Sequence, residues 1–446
     1  MNTTFKFLLA CSIVSISFSS CKKDEDQDPS TVSPDASTYN GDVATQWNNL
    51  ETRLIKSTSG FVPPVAARAL GYANLAAYEA ISPGLNGMRS MDAVMNYSYT
   101  LPYANINNKY NWALVSNAAY FQSFKALFPN TNSTNMAVID SLYLALKTNL
   151  STSESAEVIT RSESYGAEVA DVIFNWSSSD NGNQAYANLF PSNYTRPTGI
   201  ESWEPTPPAF QSIPLLPYWG NNRPFLSGNV SAACLPPPPP IYSTETNSDF
   251  YSEAMEVFTT STNLTQDQRD IALFWADGSG TYTPPGHLMN LATQLIKEDQ
   301  LPLNKAAEVY LRMGLAVNDA FIACWKAKYT YNLLRPVTYI QRNIDASWLP
   351  LVTTPPFPEY TSGHSSVSGA CSEILTKAFG TNRMFTDNTN SEFGYSPRSF
   401  NSFYEAAEEA AASRLYGGIH YQSANTHGIN CGKQIGRNIN AIQLKK

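Results

Sequence analysis

The chain has 446 residues, 43% hydrophobic, 12% aromatic and only 15% charged, enough apolar material for a large core and too little charge for a disordered or fibrous class. Its formal net charge of −8 argues against nucleic acid, which would want a basic face. Any bound anion must therefore be held by a local cluster of cations against an unfavourable background.

Taken in order, residues 1–20 read as a signal peptide. Lys6 precedes an apolar run from Phe7 to Phe18 that is too short to span a bilayer, and Ser19 and Ser20 lead into Cys21. That order predicts a lipoprotein with Cys21 as its acylated first residue, anchored to the membrane, not crossing it, in the periplasm or on the cell surface. Lys22-Lys23-Asp24-Glu25-Asp26 resembles the acidic tether of surface-exported Bacteroidota lipoproteins, and residues 21–40 read as a disordered linker. Apolar residues at three- and four-residue spacing predict helices near 42–57, 64–82, 106–128, 135–149 and 152–177. A polar, proline-rich stretch over 179–245 follows, with Pro236 to Pro240 unable to join any helix. Helical spacing resumes near 246–260, 265–277, 285–299, 304–334, 364–378, 402–416 and 426–443. The expected fold class is all-α, a large helical bundle of two fused halves, 41–245 and 246–446. Cys234, Cys324, Cys371 and Cys431 remain after the leader, widely spaced and without any Cys-x-x-Cys pair, so no pairing follows from their positions.

Three segments of the second half carry chemistry. In the first, Lys328 and Arg335 are seven residues apart, which places both cations on one helical face with Trp325 and Asn332. Pro336 is expected to stop that helix with Arg335 in its last turn. The second runs Pro355-Pro356-Phe357-Pro358-Glu359-Tyr360-Thr361-Ser362-Gly363-His364. Its prolines forbid a helix and the small residues after His364 favour one, so Ser362, Gly363 and His364 fall at a helix N-terminus, where free amides attract anions. In the third, Ser402 and Glu405 form a capping box for an alanine-rich helix that delivers Ser413 and Arg414, and Gly417-Gly418 ends it just before His420. Lys328, Arg335 and Arg414 buried together without an anion would cost on the order of several kcal/mol per charge. If the segments converge, they hold a doubly charged tetrahedral oxyanion.

Lys-x6-Arg-Pro, then Ser-Gly-His, then Ser-Arg-x5-His resembles the superfamily that unites vanadium haloperoxidases with type 2 phosphatidic acid phosphatases and bacterial acid phosphatases. Pro63–Leu70, Phe274–Gly278 and Thr283–His287 are similar to bacterial haloperoxidase-like sequences. The resemblance implies a site in a C-terminal four-helix core with vanadate as cofactor and hydrogen peroxide and halide as substrates. His420 would bind the metal, and Lys328, Arg335, Arg414, Ser362 and the Gly363 amide would hold the oxyanion's oxygens. His364 would be the acid–base residue, Lys328 would also polarise the bound peroxide, and Trp325 and Phe357 would line the halide side. Asp277 would pair with Arg414.

The chain departs from that pattern at Thr361, where the superfamily has Pro. Another departure is Ala424, where an Asp would orient the histidine; Asn425 or a backbone carbonyl is the expected substitute. Lys326 stands where many bacterial relatives have Asp, and His427 is expected on a helix surface. Vanadate-dependent oxidation of iodide or bromide, rather than chloride, is the leading expectation. The rival is an exported phosphomonoesterase that forms a phosphohistidine at His420. Oligomeric state and halide range stay open.

Overall fold

The computed structural model describes the chain apart from residues 2–31 and residue 96. The expected signal peptide, the acylation site at Cys21 and the acidic run of the tether lie outside the described residues. The end of the expected disordered linker, 32–40, is instead ordered, with a short 3-10 helix at Ala36–Thr38, Ala36 fully buried and the Tyr39 carbonyl accepting the Leu303 amide. Fourteen α-helices make up the described part: α1 (Asp42–Ser57), α2 (Pro63–Ile81), α3 (Met91–Met95), α4 (Trp112–Leu127), α5 (Ser133–Leu150), α6 (Ala156–Ser177), α7 (Asp249–Thr262), α8 (Gln266–Phe274), α9 (Thr283–Glu298), α10 (Leu303–Tyr331), α11 (Pro336–Asn343), α12 (Gly363–Phe379), α13 (Phe403–Tyr416) and α14 (Gln422–Asn440). Two three-residue strands, β1 (Phe385–Asp387) and β2 (Arg398–Phe400), pair antiparallel with Phe385 opposite Phe400. None of the described helices is long and apolar enough to cross a membrane.

Capping chemistry decides where most helices start. The Asn111 side chain accepts from the amides of Ala113 and Leu114, so α4 starts at Trp112 and residues 106–110, expected in the helix, lie outside it. Ser155 caps α6 in the same way, Thr265 and Gln268 form a full capping box on α8, and prolines open α2, α9 and α11. Ser402 caps α13 as expected, but Glu405 reaches the amide of Asn401, not that of Ser402, so the box is offset by one residue.

The long α10 is buried along most of its length and crosses α2 where two glycines meet: a Cβ on Gly314 would lie 2.8 Å from the Leu70 carbonyl oxygen. A closer approach joins α12 and α14. Gly428, Gly432 and Gly436 form a stripe on α14, and a Cβ at Gly432 would sit 2.1 Å from the Ser366 carbonyl oxygen, where no side chain fits. One cluster of buried apolar residues runs from Ala36 to Leu444.

The irregular stretch between α6 and α7 is laced to these helices by polar anchors. Asp319 on α10 accepts from the amides of Phe225 and Leu226 and from Asn229. The proline run acts as a strap: Tyr331, Tyr360 and Tyr339 donate their hydroxyls to the carbonyls of Pro236, Pro237 and Ser243. Cys234, Cys324, Cys371 and Cys431 are all free thiols.

Candidate active site

Five helix ends meet at one place: the C-termini of α10 and α13 and the N-termini of α11, α12 and α14. Lys328 lies in the last turn of α10. Arg335 is not in that turn. The helix ends at Tyr331, Asn332 takes a left-handed conformation (φ 45°), and Arg335 becomes the N-cap of α11, with Pro336 opening that helix. The expected shared helical face is thus replaced by a turn, and the turn brings both cations to the same place. Arg335 is completely buried; its Nε donates to the Phe357 carbonyl and its Nη1 to that of Ile419. The Lys328 ammonium, equally buried, donates to the carbonyls of Pro358 and Glu359.

His420 follows the Gly417-Gly418 turn, where Gly418 adopts φ +76°. Its Nε2 lies 3.2 Å from Arg335 Nη1 and its Nδ1 2.6 Å from Glu359 Oε1. A guanidinium can only donate, so Nε2 must present a lone pair and Nδ1 must carry the hydrogen. The same Glu359 oxygen accepts the Tyr421 amide at 3.0 Å, so it is an acceptor twice over. The orienting acid that Ala424 removes is therefore supplied by Glu359. Asn425, the expected substitute, is turned toward Ser365 instead. Burial lowers the His420 pKa well below the ordinary histidine value, and Arg335, Lys328, Arg414 and His364 all press it further in the same direction. Burial pushes the Glu359 carboxyl up to about 8 against the pull of Arg335 and Lys328. The same cause pushes Lys328 down to about 7 and Arg335 and Arg414 down to about 10.

Ser362 is the N-cap of α12, and its Oγ accepts the Ser365 amide, leaving the serine's own hydrogen to donate. As the first helical residues, Gly363 and His364 have amides with no helical acceptor. A Cβ on Gly363 would meet only Phe321 at 3.5 Å and Trp325 at 3.9 Å, so the protein's own packing does not demand glycine there. His364 turns one ring nitrogen toward the carbonyls of Trp275 and Ala276 and leaves Nε2 without a partner; burial, Arg414 and His287 push its pKa well below the usual value.

Arg414, in the last turn of α13, donates through Nη1 to the Trp275 carbonyl at 2.8 Å. The expected pairing with Asp277 is absent. That carboxylate bonds His287 and Asn390 and acts on Arg414 only through its charge. Trp325 and Phe357 pack with ring centroids 5.0 Å apart, and the Lys328 ammonium lies 5.8 and 5.1 Å from them. Lys326 points away and donates to the Val230 carbonyl. His427 is half-buried, not on the open helix surface, with Nδ1 2.6 Å from the Tyr360 hydroxyl.

Several buried polar atoms here have no protein partner: Arg335 Nη2, Arg414 Nε and His364 Nε2. Orphaned donors on two guanidiniums beside a histidine lone pair fit a tetrahedral oxyanion that ligates nitrogen. Glu359 was within the segment read from sequence but carried no spacing signal, only its oddity as a lone acid between Pro358 and Tyr360. Nothing in the sequence marks Asp387 or Asn390.

Residues 308–444 match the family model described as VCPO second helical-bundle domain. The vanadium chloroperoxidase of Curvularia inaequalis is 27% identical over 405 residues, which is 76% of this chain and 66% of that protein, so the chain spans slightly less than two thirds of that relative. A crystal structure described as the first bacterial vanadium-dependent iodoperoxidase superposes with a TM-score of 0.82 at 34% identity, covering 92% of this chain and 98% of that one. A holo-type bacterial vanadium-dependent chloroperoxidase reaches 0.65 at 18% identity over 85% and 92% of the two chains, a likeness of fold alone.

Proposed function

The chain belongs to the vanadium-dependent haloperoxidases, and from that membership we propose that it oxidises halide with hydrogen peroxide at a vanadate held by His420. The observation that carries the reading is the fixed tautomer of His420, whose Nε2 lone pair faces the Arg335 guanidinium, while Arg335 Nη2 and Arg414 Nε stay buried without a partner. Arg335, Arg414, Lys328, Ser362 and the Gly363 amide would hold the oxygens. When bound, vanadate supplies a Lewis-acid centre that activates peroxide without itself being oxidised or reduced. His364 is a neutral base at pH 7, and its free Nε2 takes the proton of entering hydrogen peroxide. Lys328 donates from the aromatic side and polarises the oxygen that the halide meets. Trp325 and Phe357 make that side apolar, which suits a large, polarisable, weakly hydrated halide. Iodide or bromide is therefore the substrate, and the likeness to an iodoperoxidase supports this choice. The protein is exported and held to the membrane by lipid at Cys21.

A phosphomonoesterase is the second reading, and Glu359 favours it by restoring the orientation that Ala424 takes away from His420. His364 opposes it. Its N–H faces backbone carbonyls, and without an anion burial and Arg414 hold Nε2 unprotonated, the reverse of the state a leaving alcohol needs.

Purified protein assayed in two arms decides between them. One arm contains orthovanadate, peroxide and each halide in turn; the other contains a phosphomonoester and no vanadate. Halide oxidation that requires vanadate and disappears in His420→Ala supports the peroxidase. Phosphate release that vanadate inhibits, also lost in His420→Ala, overturns it.

A further inference from the structure

Behind Arg414 lies a second buried cluster that the proposed chemistry does not use. His287, near the start of α9, is fully buried. Its Nδ1 lies 3.0 and 2.9 Å from the two Asp277 oxygens and its Nε2 2.8 Å from Asp387 Oδ2. A ring with an ionised carboxylate at each nitrogen donates from both and is an imidazolium. We propose that His287, clamped between Asp277 and Asp387, is a positioning residue that sets the Trp275–Asp277 turn and, through it, aims Arg414 and His364 at the oxyanion. The proposal rests on the reading of Arg414 as an oxyanion ligand.

Hydrogen bonds tie the cluster to the site through this turn. The Trp275 carbonyl accepts Arg414 Nη1, and the carbonyls of Trp275 and Ala276 face the His364 ring. Trp275 itself is fixed on two further sides. Its ring stacks on His287 at 4.7 Å and 11°, and its indole donates to Glu409, which Arg398 grips through two nitrogens. Asp277 occupies the left-handed region at φ 42°, which non-glycine residues seldom adopt. Its carboxylate bonds to His287 and to Asn390 Nδ2 hold it there. The small hairpin and the turn after β1 thereby gain a purpose, since they deliver Asp387 to the Nε2 side of the ring and Asn390 to Asp277 on the Nδ1 side. An imidazolium with two carboxylates also leaves one net negative charge behind Arg414, a standing counterweight to the buried guanidinium.

The test is a double-mutant cycle on anion affinity, read by calorimetry with orthovanadate and, separately, inorganic phosphate. His287→Asn is expected to weaken binding about tenfold in the native background, as removal of an outer hydrogen-bond partner does. It is expected to change binding little once Arg414→Ala is present, because the two act in series. Asp387→Asn keeps an acceptor on the ring and should give a smaller loss in the same direction; it carries the cycle if His287→Asn fails to fold. Equal losses in both backgrounds, or no loss in either, would overturn the proposal. A wild-type protein that binds neither anion would instead refute the functional reading on which it rests.

Discussion

Glu359 shows how one side chain can take over work assigned to another. An aspartate one helical turn beyond the histidine is the pattern of the superfamily, and Ala424 leaves His420 without that orienting partner. The same contact is made from the opposite direction, by an acid in the proline-rich loop before α12. Loop positions have no period, so this contact was invisible to spacing, whereas Lys328, Ser362, Gly363, His364, Arg414 and His420 were legible because each sits at or next to a helix end. Glu359→Gln keeps an acceptor for Nδ1 and for the Tyr421 amide, and vanadate binding should survive it. Glu359→Ala strands two buried donors, and we expect a loss of affinity of about 10- to 100-fold and a destabilisation of about 2–4 kcal/mol, read by calorimetry and thermal melting. Lys328 makes a pH prediction. Burial holds it near 7, below its unfolded value, so the unfolded chain binds more protons between about 7 and about 10. The cost of burying the ammonium is fully present below pH 7 and fades as pH rises through that window. Vanadate recharges the lysine on binding, so its affinity should fall above pH 7 with proton uptake visible in buffers of different ionisation enthalpy. A flat profile would show that Lys328 stays charged in the empty site.

At the scale of elements, most helix positions followed from apolar spacing, and most errors were at their ends. The 106–128 helix lost its first turn to Asn111, and Pro336, read as a stop, begins α11. Short pieces such as α3, α11 and the β1–β2 hairpin have too few residues to show a period. The glycine stripe of α14 was readable at Gly428, Gly432 and Gly436, four residues apart, but its meaning depends on α12 lying against it. That packing sets the height of the α12 N-terminus relative to His420. Gly432→Ala should therefore lower stability by about 1–3 kcal/mol and weaken vanadate binding in the same variant, because separating the helices moves Ser362 and Gly363. Gly228, with no atom near the place of a Cβ, is the control, and Gly228→Ala should leave both measurements unchanged. Gly363→Ala separates the two effects: the fold has room for the methyl group, so stability should hold while anion binding falls.

For the whole molecule, the charge of −8 surrounds a pocket built of cations. Incoming vanadate and halide meet repulsion at long range and attraction only at the end. Raising sodium nitrate from about 10 to about 150 mM shortens the screening length from roughly 30 to 8 Å and should speed vanadate association. Slower association would mean that the pocket's own field reaches beyond the surface. Cys21 supplies a separate test: Cys21→Ser should release the exported protein from the membrane fraction, and retention there would disprove the lipid anchor.

The tyrosine-pinned proline strap has a consequence under the proposed halide oxidation, whose product is electrophilic halogen. Phenols are ready targets of such a product, so the proposed reaction would set a reagent able to modify the protein beside it. Tyr339 and Tyr360 are fully shielded and their hydroxyls are committed to the strap, while Tyr103 and Tyr218 are 82% and 45% exposed. Peptide mapping after prolonged turnover with iodide should find ring iodination at the exposed pair first. The strap tyrosines should stay unmarked for as long as the strap stays in place, so their labelling would time the loss of activity.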